Sequence, residues 1–184
     1  MKSTEVLKEE HGGVKTMLAI LGKVSDRLGS AKAVPADDLD RILEFLQVFV
    51  DRCHHAKEED FLFPALERTG MPREGGPIGE LLSEHVQGRE LIRGMREAAD
   101  GCRRGDRDAA ERFAFHARGY AELLLAHIEK EDEILYPLAD RQLDVATDRT
   151  LVEEFERVEE ERVGHGKHEE FHRLLEDLQK FYGS

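Results

Sequence analysis

His54-His55-Ala56-Lys57-Glu58-Glu59-Asp60-Phe61-Leu62-Phe63-Pro64 and His127-Ile128-Glu129-Lys130-Glu131-Asp132-Glu133-Ile134-Leu135-Tyr136-Pro137 are two copies of one pattern, His-x-x-Lys-Glu-[Glu/Asp]-x-x-Leu-[Phe/Tyr]-Pro. Upstream, Glu10-His11 and Glu84-His85 stand 43 and 42 residues before His54 and His127. The chain therefore reads as one helix pair used twice, each pair supplying a His and then a His-x-x-x-Glu. Residues four apart share one helix face, so His54 with Glu58, and His127 with Glu131, can each reach a common point.

The surrounding apolar pattern has a helical period and no clean strand alternation. Leu7, Val14, Leu18, Leu21 and Leu28 form a stripe into which His11 falls. A second helix follows Pro35 with Leu39, Leu43, Leu46, Val50, Phe61 and Ala65 inward, and should stop near Gly70 and Pro72. Ile78, Leu81, Ile92, Met95 and Ala99 mark a third helix. Phe113, Tyr120, Leu124, Leu135 and Leu138 mark a fourth. The expected fold is all-α: an antiparallel up-down four-helix bundle over residues 1–142, with a C-terminal helical hairpin over residues 143–184 packed on it. The tail carries too little apolar surface to fold alone.

In such a bundle, metal sites are built from inward side chains on facing helices. His11, His54, Glu58, His85, His127 and Glu131 are the expected metal ligands. A single buried His is more often a hydrogen-bonded core residue, and a single Glu more often part of a solvated face. Six such groups at matched spacings are different, because buried carboxylates and imidazoles cost several kcal/mol unless compensated. Two six-coordinate ions offer about 12 positions, of which the six residues, with both carboxylates bridging, fill about eight. The expected cofactor is thus two iron ions, a non-haem di-iron centre with a bridging oxo or hydroxo group and room for a small molecule. Ferritin-type sites use Glu-x-x-His, but Asp51 and Leu124 occupy those positions here.

These residues resemble those of hemerythrin-like, or HHE cation-binding, domain proteins, with the likeness covering residues 5–140. It implies a left-twisted four-helix bundle holding di-iron at the six positions above. It also implies roles in binding or sensing oxygen, nitric oxide or redox state. The alternative is an enzyme acting on peroxide or nitric oxide, or an iron donor for iron–sulfur repair. Oxygen carriers of the family place a further histidine four residues after the third-helix ligand. Arg89 stands there, which favours sensing or redox chemistry over stable oxygen carriage.

His168 heads the last apolar stripe, with Phe171, Leu175, Leu178 and Tyr182, and is the conditional fifth histidine. His168-Glu169-Glu170-Phe171-His172 matches the His-Glu-x-x-His zinc-protease helix, but no third ligand follows. His116 lies 11 residues before His127, roughly 16 Å along the helix, too far for the same centre. His55, rotated by about 100° from His54, is expected between helices or facing solvent. His165 falls in a glycine hinge and is expected to be exposed. Cys53 is expected to be a buried, inert thiol. Tyr120 is expected in the core or along a channel. Forty acidic against 27 basic residues give a net charge of −13, which disfavours nucleic acid and anionic membranes. The charged N-terminus lacks a signal-peptide core, two cysteines do not make a disulfide framework, and the cytoplasm is the expected location.

Overall fold

The computed structural model describes residues 1–30, 32–164 and 166–183, so His165 lies outside the described residues. All ordered elements among them are helical. Helix α1 spans Ser3–Gly29. Helix α2 (Ala36–Glu44) runs on through wider π-type turns at Phe45–His55 and Glu58–Leu62 into α3 (Phe63–Arg68). Helix α4 is Pro77–Arg103. Helix α5 (Ala109–Lys130) continues through a π-type turn at Glu131–Leu135 into α6 (Tyr136–Gln142). Helices α7 (Val145–Val158) and α8 (Lys167–Tyr182) form the tail, with a further wide turn at Glu159–Val163. Among the described residues, no helix is long and apolar enough to cross a membrane.

The two wide turns after the motif glutamates follow from the motif prolines. Pro64 and Pro137 have no N–H, and in an α-helix their rings would strike the carbonyl four residues back. The chain widens just before each: Phe63 N–H donates to the Glu58 carbonyl and Tyr136 N–H to the Glu131 carbonyl, five residues back. Wide turns of this kind occur often at functional sites. In the tail, the chain turns from α7 to α8 through Gly164 (φ 93°) and Gly166 (φ 81°), values that side chains with a Cβ rarely adopt.

Helix α1 packs on α5 and α8, and α4 on α5 and α2. The interior is two apolar clusters. One holds Val14, Leu46, Ile92 and Leu124 with Phe171, Leu175 and Tyr182 of α8. The other holds Leu7, Leu62, Leu81 and Leu135 with Leu151 and Phe155 of α7. Along each of the four main helical runs the change of cluster falls at the expected ligands: His11 between Leu7 and Val14, His54 and Glu58 between Val50 and Leu62, His85 between Leu81 and Ile92, His127 and Glu131 between Leu124 and Leu135. The polar residues thus form one layer between two dry ones.

Candidate metal centre

The six expected ligands are all buried, none more than 2% exposed. Each histidine is oriented by a carboxylate on its Nδ1. His11 faces Asp132 (2.9 Å), His54 faces Glu10 (2.8 Å), His85 faces Glu59 (2.7 Å) and His127 faces Glu84 (2.8 Å). With Nδ1–H donating outward, every Nε2 is turned inward. The inward atoms meet in pairs: His11 Nε2 lies 3.1 Å from His54 Nε2, and His85 Nε2 lies 3.1 Å from His127 Nε2. Two imidazole lone pairs at that distance repel unless a proton or a metal cation lies between them.

The glutamates span the two pairs. Glu131 Oε2 is 3.2 Å from His11 Nε2, and Oε1 is 3.0 Å from His127 Nε2. Glu58 Oε2 is 3.5 Å from His85 Nε2 and 4.0 Å from His54 Nε2. Glu58 Oε2 and both Glu131 oxygens are buried without a well-formed hydrogen bond, a costly state that a bridging role between two cations would relieve. Burial, then the adjacent Glu131, pushes the Glu58 carboxyl well above its usual range. Burial would raise Glu131 and lower His127, yet their mutual attraction prevails: Glu131 falls well below its usual range and His127 rises to about 9. The His127–Glu131 pair and Glu58 therefore favour bound protons, which metal binding would release.

Each recurring motif position has a partner. The residue after each glutamate, Glu59 or Asp132, holds the histidine of the other repeat's first helix. Lys57 binds Glu10 and Lys130 binds Glu84, steadying the carboxylates behind His54 and His127. Phe63 stacks over His85 and Tyr136 over His11, with ring centroids 6.0 and 5.6 Å apart. The Tyr136 hydroxyl donates to Glu58 Oε1 at 2.8 Å and lies 3.4 Å from His11 Nε2.

Of the other histidines, His55 takes the first of its two expected places, between helices, but within the ligand layer itself, and His168 lies apart from the layer. His55 is 3% exposed, stacks on His85 (3.8 Å, 15° between planes), and brings a ring nitrogen within 4.8 Å of those of His85 and His127. The reason is the π-type run Phe45–His55, whose smaller rotation per residue turns both His54 and His55 inward. The signal available in the sequence was the broken repeat, His55 against Ile128. His168 groups instead with Glu10 and Cys53, packs on Phe49 (5.2 Å) and lines a cavity of about 340 Å³ beside α8. His172 is exposed. His116 packs on Gly94, and Cys53 is fully buried, its thiol pushed up to about 12 by that burial. Tyr120 lies in the first apolar cluster. Arg89 binds Asp51 (2.7 Å) and Glu59 (2.6 Å), so it braces the support of His85.

Among known proteins, the sequence model of the hemerythrin HHE cation-binding domain matches residues 2–139. Uncharacterized proteins of Mycobacterium bovis and Mycobacterium tuberculosis are each 26% identical over 179 residues, which is 97% of this chain and 69% of theirs. No solved structure matches.

Proposed function

The chain belongs to the hemerythrin HHE cation-binding domain family, and from that premise we propose that it is a non-haem di-iron protein that binds a small diatomic molecule, oxygen or nitric oxide, or responds to redox state. The observation that carries this reading is the pairing of inward Nε2 atoms, each pair at 3.1 Å, with two carboxylates spanning both pairs. His11 and His54 would hold one ion, His85 and His127 the other, with Glu58 and Glu131 between them. The four long helical runs would form the antiparallel bundle around this layer. Two iron ions, when bound, supply electron transfer and open coordination positions.

The residues of the chain prepare the place. The carboxylates on Nδ1 fix each ring and raise its donor strength. Leu7, Leu62, Phe63 and Leu135, all fully buried, exclude bulk water from one side of the layer. Tyr136 donates its one hydroxyl proton to Glu58 Oε1, beside the His11–His54 pair, and so orients that carboxylate. Elemental analysis of the purified chain with its absorption spectrum is the test. Two irons per chain with oxo-to-iron bands near the ultraviolet edge are expected, and a single zinc per chain would overturn the reading.

A further inference from the structure

We propose that His55 is a fifth imidazole ligand, serving the ion held by His85 and His127. The assignment rests on the two-ion reading above and adds to it a ligand outside the repeated pattern. Both His55 ring nitrogens are buried without a hydrogen-bond partner, which leaves the group uncompensated in the ion-free chain. One nitrogen lies within 4.8 Å of ligand atoms of His85 and His127, and the ring, now stacked on His85 at 3.8 Å, has only to tilt away from it for both lone pairs to reach one ion. Its Nδ1 is 3.6 Å from Asp51 Oδ1. That is the same carboxylate-behind-Nδ1 arrangement found at the other four histidines, one short shift from a hydrogen bond, and it leaves Nε2 as the donor to metal.

Arg89 fits this scheme. It binds both Asp51 behind His55 and Glu59 behind His85. Arg89 of α4 thus positions the carboxylates of two rings on the same ion. In the second repeat the counterpart is Ile128, an apolar residue of the core. The two ions become inequivalent: one has three imidazoles, the other has two and stands beside the Tyr136 hydroxyl.

The test uses the full chain with cobalt(II) alone as probe. The unaltered chain should take up two ions, and nuclear magnetic resonance should show five hyperfine-shifted imidazole N–H signals. His55→Ile, which copies the other repeat, should bind one ion as before and the second roughly 10–100-fold more weakly, with four signals. His55→Gln, retaining an oxygen donor, should recover part of that affinity. Four signals in the unaltered chain would overturn the proposal even if His55→Ile failed to fold, as would two ions bound to His55→Ile with unchanged affinity. An unaltered chain taking up fewer than two ions would overturn the two-ion reading itself, and this assignment with it.

Discussion

Lys57 and Lys130 hold the same place in the two motif copies, yet their surroundings differ. Lys57 is fully buried between Glu10 and Glu159 of the tail, whereas the Lys130 side chain is 29% exposed beside Glu80 and Glu84. Removing one partner of a buried ion network leaves an uncompensated charge and costs about 3–5 kcal/mol. A partly exposed pair is screened, at about 0–1 kcal/mol. Lys57→Met should therefore lower stability by about 3–5 kcal/mol in urea titration of the ion-free chain, and Lys130→Met by less than about 1. Equal losses would show that the tail does not isolate Lys57. Behind Lys57, burial opposes ionisation of Glu10, but His54 and Lys57 bring its carboxyl down to about 2 from the usual 4.5. A depressed carboxyl stabilises the fold above 4.5, and that contribution is lost as pH falls through about 2. Ion-free stability should fall across this interval, and Glu10→Gln should flatten the profile. A matching profile for the variant would remove Glu10 from the account. At this scale, helical spacing alone pointed to His54 with Glu58 and His127 with Glu131. It did not point to the Nδ1 carboxylates, because each comes from a different helix than its histidine.

The motif proline sets the geometry of each helical run. By forcing a five-residue hydrogen bond at Glu58 and at Glu131, it places each glutamate where the helix changes its rotation. Pro137→Ala restores an N–H and permits a regular α-turn, which would swing Glu131 relative to His127. Helix content by circular dichroism should stay unchanged while metal affinity drops by about tenfold, the scale seen when ligands lose their orientation. Unchanged affinity would mean that the wide turn is incidental. Periodicity made the helices and their approximate ends legible in the sequence, from Pro35 and Gly70 to the glycines at 164 and 166. It concealed the wide turns, since a π-type segment keeps nearly the same apolar stripe. For that reason His55 was expected only between helices or facing solvent, whereas it lies in the layer beside His54.

Across the whole molecule, the tail is part of both apolar clusters. Leu151, Phe155, Phe171, Leu174, Leu175, Leu178 and Tyr182 are buried against residues of the first 142 positions. Each such side chain is worth about 1.5–3 kcal/mol, and their sum matches the total stability of an ordinary domain. Removing residues 143–184 should abolish cooperative unfolding in urea, while a sharp, unshifted transition would make the tail an independent appendage. The sequence breaks the symmetry of the repeat at Tyr136 against Phe63 and at His55 against Ile128, and tertiary structure adds a tail that covers Lys57 and not Lys130. The sequence by itself determined that the chain is helical, which six side chains converge, and that they come as two matched sets, because helical period and i to i+4 spacing are local properties. Only the tertiary structure decided which carboxylate orients which histidine, that a fifth histidine, His55, lies in the layer, and where His168 goes. Those outcomes depend on distances between elements far apart in the chain and on turns whose rotation local spacing does not encode.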